Sequence, residues 1–413
     1  MRIVSYGCGN YKPFKDSFSI ELRPLTLIYG KNSSGKSAGM RVLRLILRAL
    51  SARATGSFPL KVEELTFGAN FRDLVHGKLP HGAVSFSIKL EIEGEVLDLS
   101  ATVQNIADRT SNKQINNEYN VVSELHVRSP NQYDLKWIPA HGIVANYENV
   151  GPIAFRGLLP DTKKKSDRDR WPFADDWRER IQTLEDQVEH IGPHRTSISS
   201  IYEIAESESL RFDGSGAASR LASDDLLLSK AADWYQNHLD GWRLSINQSG
   251  NAFECTLTRG GSSVNLADAG EGMQQVLPVI IQQLSHQLKI DESFIDLIEQ
   301  PELHLHTAAQ GPLGDLYLDT AKTGRGQVIV ETHSENLLLR IRRRIAEGAD
   351  PNLVGIYWVD DHPEGHSSVR RININEFGEL DWWREGVFSE GYEEVRAINR
   401  AVRDRRNKDS QAK

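Results

Sequence analysis

The chain has 413 residues, enough to bury a large core and to hold two or more subdomains. A formal net charge of -8 gives no general attraction to nucleic acid, and two cysteines, Cys8 and Cys255, do not make a disulfide framework. No apolar stretch approaches about 18 residues and no cleavable signal pattern opens the chain, so a cytoplasmic protein with no membrane span is expected.

Phe18, Ile20 and Leu22 alternate with polar residues and predict a strand buried on one side. After Pro24 the apolar run of Leu25, Leu27, Ile28 and Tyr29 reads as a buried strand. It leads into Gly30-Lys31-Asn32-Ser33-Ser34-Gly35-Lys36-Ser37, which fits G-x-x-x-x-G-K-S. Helical spacing follows from Ser37 to Leu50, with Met40, Leu43, Leu45, Ile46 and Leu50 on the apolar side. Strand, glycine-rich turn and helix are the setting that a phosphate-binding loop needs. Backbone N–H groups of the turn and helix start hold phosphates, Lys36 reaches the terminal ones and Ser37 ligates Mg²⁺. The octapeptide therefore implies a bound nucleoside triphosphate, with Gly30, Asn32, Ser33, Gly35, Lys36 and Ser37 as its contacts.

Val84, Phe86, Ile88, Leu90 and Ile92 alternate strictly, and Val96 to Leu99 continues after Glu93-Gly94, which predicts a hairpin. Asn105 to Asn120 is polar and reads as a surface loop, and Val121 to Val127 alternates in part. Lys163 to Asp169 is a solvated charge run. Trp177, Ile181, Leu184 and Val188 form a helical stripe too short for a long coiled coil. From Val264 onward, helices (Met273–Leu284, Ala308–Leu318, Leu337–Ile345) alternate with strands (Phe294–Ile298, Gln327–Val330, Leu353–Val359). The alternation predicts an α/β core with a largely parallel sheet, to which the phosphate-loop strand also belongs. The expected divisions are residues 1–100, 101–263, 264–365 and 366–413. The last ends in a basic tail carrying Arg403, Arg405, Arg406 and Lys408.

Three further segments carry chemistry. Ile295-Asp296-Leu297-Ile298-Glu299 is an apolar strand ending in an acid, and strand ends on this edge hold catalytic groups, so Glu299 is expected to hold the Mg²⁺ shell. Gln300-Pro301-Glu302-Leu303-His304-Leu305-His306 follows. His304 and His306 lack a cysteine or spaced acid to complete a zinc set and are expected to orient an interface or contact nucleotide. After Val328-Ile329-Val330-Glu331 comes Thr332-His333-Ser334-Glu335, in which His333 either senses the γ-phosphate or caps the next helix. Gly270 and Gly272 lead into an apolar helix through Gln275, a second anion-binding helix start that suits the nucleotide of another subunit.

In this order these motifs resemble the ATP-binding cassette ATPases of the RecF/SMC/OLD type. More narrowly, they are similar to stand-alone bacterial AAA-labelled ATPases like the ATPase half of OLD nucleases. The resemblance implies an ABC-type P-loop ATPase head with a mostly parallel sheet, an antiparallel N-terminal subdomain and a partly helical middle insertion. It also implies a short Trp-containing C-terminal segment, here Ile374 to Phe388. Gly30, Gly35, Lys36 and Ser37 would form Walker A, and Glu299 would stand at the Walker B position. Gly270, Gly272 and Gln275 would lie in the signature segment that reaches across a dimer, and His333 would be the switch histidine. Arg195 of Gly192-Pro193-His194-Arg195 would contact phosphate or the partner lobe. The cofactors implied are ATP and Mg²⁺.

The chain departs from the pattern at Gln300, where such ATPases carry a catalytic glutamate. An amide orients water but does not take its proton at neutral pH, and Glu302 lies two residues on. Slow hydrolysis is expected, with an ATP-held clamp of almost no turnover as the alternative. Asp360-Asp361 is the nearest echo of a TOPRIM metal cluster and reads as a solvated turn, so no nuclease within this chain is expected. The expected setting is antiviral defence, with a homodimer or higher oligomer regulating a separate nuclease or toxin. The alternative is a DNA-clamping repair ATPase using Arg41, Arg44, Arg48 and Arg53 with Arg340, Arg342, Arg343 and Arg344 as a basic surface.

Overall fold

Apolar runs without alternation belong in a sheet covered on both faces. In the computed structural model four such runs, Phe294–Glu299, Gly326–Glu331, Leu25–Gly30 and Val354–Asp361, lie side by side in that order and pair in parallel. Val188–Ile191 joins one edge in parallel and Ser367–Ile372 closes the other antiparallel, making six strands. The structure describes residues 1–56, 58–107, 118–139, 146–203, 209–384 and 394–403.

Side chains of these strands alternate between two cores. Ile28, Leu297, Ile329 and Tyr357 face one core, shared with the helix Lys36–Leu50 and an eight-stranded antiparallel sheet. Leu27, Ile298, Val330 and Trp358 face the other, built with the helices Leu277–Leu288, Thr307–Lys322 and Glu335–Ala346. The helix after the phosphate loop is thus sandwiched between the two sheets, which fixes the loop at the carboxyl edge of the parallel one. Gln327 ties the sheets together: its amide accepts from the Ile3 N–H at 2.8 Å and donates to the Ile3 carbonyl at 2.9 Å.

The predicted hairpin is present as Ala83–Ile92 and Glu95–Ala107, within the antiparallel sheet. The second strand crosses residue 100, where the first division was drawn. The polar stretch Asn105–Asn120 is not a loop throughout. Its ends are strand, and the Asn105 amide donates to the Asn120 side chain at 3.0 Å across the ladder, so pairing supplies what apolar content does not; residues 108–117 lie outside the described residues. The stripe that included Val188 ends as a helix at Asp186, because Val188 pairs with Ile295 and starts an edge strand. The charge run contains a short helix, Lys165–Arg170. The helix expected over Met273–Leu284 is two, Glu271–Gln275 and Leu277–Leu288. A helix Asp225–His238 and a meander of Arg243–Ser249, Ala252–Arg259 and Ser262–Asn265 were not anticipated.

The Trp-containing segment lies against the edge of the core sheet. Trp383 meets Tyr29 and Trp358 edge-on, each at 5.5 Å between ring centroids, and Arg370 stacks over Trp382 at 4.1 Å. Its last residues, 385–388, lie outside the described residues, as does 404–413 of the tail. Among the described residues no helix is long and apolar enough to cross a membrane.

Candidate functional site at the carboxyl edge of the parallel sheet

The phosphate loop has the backbone that its sequence demands. Ser33 and Gly35 take left-handed conformations, at φ 64° and 99°, and Gly35 stands at the N-cap of the helix Lys36–Leu50. A Cβ on Gly30 would lie 2.5 Å from the Val359 carbonyl oxygen, so only glycine lets the two strands meet there. The first turn of the helix carries no acid, which leaves its positive end to an anion. Lys36 is buried, and its Nζ donates to the Lys31 carbonyl at 2.8 Å, across the turn. Burial pushes its pKa down while Glu331 and Glu302 push it up. Asn32 and Ser33 are exposed on the loop.

Two acids stand at neighbouring strand ends, for Glu299 and Glu331 are register partners. Glu299 is engaged on both oxygens. Arg41 Nε and Nη2 donate to Oε1 and Oε2 at 2.6 Å each, and His190 Nε2 lies 2.9 Å from Oε1. Burial raises the Glu299 pKa, but the bonds to His190 and Arg41 outweigh it and hold the carboxyl below its usual range. Glu331 accepts from the Ser37 hydroxyl at 3.0 Å. Burial and the nearby charge of Glu299 push its pKa up to about 7. Glu302 is half-buried and accepts the His333 backbone N–H at 2.6 Å, and burial raises its pKa. Burial and the Lys36 ammonium push His333 down to about 4, so its imidazole is neutral at pH 7. Ser34 Oγ, Glu331 Oε2 and His333 Nε2 are buried polar atoms with no hydrogen-bond partner among the described residues. Such atoms clustered about Lys36 and Ser37 suit a phosphate ligand with a divalent cation.

Gln300 has φ 46°, a left-handed backbone stabilised on both sides. Its N–H donates to the Glu331 carbonyl at 2.8 Å, and its own carbonyl accepts from Arg195 at 3.1 Å. The same Arg195 donates to the carbonyls of Glu299 at 2.8 Å and Gln275 at 3.1 Å. Arg195 is therefore a buried internal tie between a strand end and the helix Glu271–Gln275, with its terminal nitrogens committed to carbonyls; it does not present them to phosphate or a partner. Gln275 is likewise buried, its amide donating to the Arg195 carbonyl at 3.1 Å. Gly270 is exposed, whereas a Cβ on Gly272 would meet the His304 carbonyl oxygen at 2.4 Å.

His304 lies 3.4 Å from Glu271, and His306 caps the next helix by accepting the Ala308 N–H at 3.3 Å. Asp360 pairs with Arg384. None of these histidines and neither Asp360 nor Asp361 belongs to a cluster able to hold a metal ion among the described residues.

Sequence reasoning passed over Glu331, His190 and the role of Arg41. Glu331 was legible, since Val-Ile-Val-Glu repeats the apolar-strand-then-acid pattern that singled out Glu299. Arg41 and His190 come to Glu299 from residues far away in sequence, and no local pattern announces them.

Residues 178–338 match the family model described as an AAA ATPase domain, a span that holds Gly270 to Gln275, Glu299 to Glu302 and Glu331 to His333. Among solved structures the chain is similar to the SMC head domain from Thermotoga maritima, with 12% identity and a TM-score of 0.44, over 91% of this chain and 100% of that one. It is also similar to the Smc head domain with an extended coiled coil bound to the C-terminal domain of ScpA, from Pyrococcus furiosus. That match has 11% identity and a TM-score of 0.41, over 97% of this chain and 99% of the other. No curated protein matches. The phosphate loop at the edge of a parallel sheet, the antiparallel sheet over its helix and the matched domain give the chain a P-loop ATPase fold of mixed α/β content.

Proposed function

We propose that the chain binds ATP with Mg²⁺ and hydrolyses it slowly, as the nucleotide-holding head of a homodimer or higher oligomer. The observation that carries this reading is a complete phosphate loop beside Gln300 in place of a carboxylate. Lys36 and the N–H groups of the turn bind the phosphates, and Ser37 with a strand-end acid holds the cation, which when bound neutralises phosphate charge. Neutral His333 lies at the same edge to contact the terminal phosphate. Gln300 orients water without accepting its proton, and one Glu302 oxygen is held by the His333 backbone N–H. Turnover is accordingly below the roughly 1–1,000 per second of typical enzymes.

In this reading ATP closes two heads, the exposed Gly270 turn of one copy facing the nucleotide of the other, and a separate nuclease or toxin is held or released in antiviral defence. The motif resemblance supports the setting. A helix over 394–403 supports a partner, since Val395, Ile398 and Val402 on it are 54%, 58% and 43% exposed. Most arginines of the DNA-clamp alternative are paired with acids. Arg41 pairs with Glu299, Arg44 with Glu63, Arg48 with Glu185, and Arg53 with Asp186. Arg340 and Arg344 share Asp315, Arg343 pairs with Glu347, and Arg342 donates to the Gly378 carbonyl.

The test is ATP binding by calorimetry and Mg²⁺-dependent turnover, in wild type and Lys36→Ala. Wild type binds and turns over slowly, and Lys36→Ala loses both; unchanged nucleotide affinity in the variant overturns the reading. Plasmid DNA incubated with the chain and Mg²⁺ or Mn²⁺ stays intact if the effector is separate.

A further inference from the structure

We propose that Glu331, not Glu299, is the carboxylate that shares the divalent cation with Ser37. This rests on the reading of the loop as a Mg²⁺-nucleotide site, and goes beyond it by assigning the metal-binding acid to a different strand.

The two acids differ in what already holds them. Glu299 is 1% exposed, and both its oxygens take charge-assisted or imidazole bonds, from Arg41 at 2.6 Å twice and from His190 at 2.9 Å. A bidentate guanidinium neutralises a carboxylate, and with the imidazole it takes three of its roughly four lone-pair sites. Arg41 lies one turn beyond Ser37 on the same helix, so this pairing is built into the phosphate-loop element itself.

Glu331 is 2% exposed and has one bond, from the uncharged Ser37 hydroxyl at 3.0 Å. Its second oxygen is buried with no partner among the described residues. An oxygen in that state is a ligand site, because a desolvated carboxylate oxygen is stabilised by a cation or a donor. The strand Gly326–Glu331 adjoins the phosphate-loop strand directly, whereas Phe294–Glu299 lies one strand further out. Serine hydroxyl and carboxylate together form the hard oxygen pair that Mg²⁺ or Mn²⁺ takes. The Gln300 N–H donates to the Glu331 carbonyl at 2.8 Å, which holds the two strand ends side by side.

The test is Mn²⁺ affinity by electron paramagnetic resonance, in the presence of a non-hydrolysable ATP analogue, for wild type, Glu331→Gln, Glu331→Asp and Glu299→Gln. Metal-free nucleotide affinity and melting temperature are measured alongside. The expected result is Mn²⁺ affinity about tenfold or more weaker in Glu331→Gln, as ligand-shell losses generally give, with metal-free nucleotide affinity not weakened. Glu299→Gln loses less Mn²⁺ affinity than Glu331→Gln. Should Glu331→Gln fail to fold, Glu331→Asp, which keeps the charge and shortens the reach, decides: weakened Mn²⁺ binding supports the assignment and unchanged binding overturns it. Intact Mn²⁺ affinity in Glu331→Gln, or a loss confined to Glu299→Gln, overturns this inference alone. A wild-type chain that binds no nucleotide overturns the parent reading and this inference with it.

Discussion

Arg41 grips Glu299 with both prongs of its guanidinium, each 2.6 Å from a different carboxylate oxygen. The pair joins the phosphate-loop helix to a strand two places away in the sheet, and Glu299 is almost wholly buried beneath it. Removing one member of a buried, hydrogen-bonded pair leaves the other charge uncompensated. Arg41→Met is expected to destabilise the chain by about 3 kcal/mol in equilibrium unfolding. Adding Glu299→Gln should recover part of that loss, since the stranded charge is gone. Two independent, additive losses would show that the pair is not coupled.

The imidazole of His333 is expected to titrate at about 4 in the nucleotide-free chain, well below its ordinary 6.5, because burial and Lys36 both disfavour the cation. The folded value is depressed, so this group contributes stability above the unfolded value near 6.5 that is lost as pH falls through about 4. Bound phosphates face the ring with negative charge and shift the midpoint upward. Histidine NMR with and without a non-hydrolysable ATP analogue reads both; a midpoint near 6.5 in the nucleotide-free chain contradicts the buried placement.

Pairing of the arginines makes a prediction about DNA. Proteins that neutralise about 6–10 phosphates lose affinity steeply with salt. This chain is expected to show no measurable duplex binding near 0.15 M salt, a concentration at which surface charges are screened beyond about 8 Å. Fluorescence anisotropy with a labelled duplex checks this, and tight binding with a steep salt slope would restore the clamp reading.

Gly272→Ala is expected to disturb the loop around His304, because the added Cβ would meet its carbonyl oxygen at 2.4 Å and backbone cannot yield cheaply. An overpacking loss of about 1–3 kcal/mol is the expected scale. Gly270→Ala, at a position with nothing within 4 Å, serves as the control and leaves the melting temperature nearly unchanged. Equal effects of the two variants would mean that close approach is not what requires glycine at 272.

The amino-acid sequence by itself determined the phosphate loop and the parallel core. Gly30, Gly35, Lys36 and Ser37 act through backbone conformation and local reach, and fully apolar strands carry their own signal. Those properties are short-range, so a linear pattern records them. Tertiary structure alone decided how the site is wired. Arg41 and Glu299 are 258 residues apart, His190 and Glu299 109, and Ser37 and Glu331 294. Whether a strand-end acid is occupied or available depends on which charges the fold brings against it, and strand order, unlike strand identity, leaves no local trace. Glu299 and Glu331 look alike as sequence; the guanidinium against one and the serine hydroxyl against the other are what separate them.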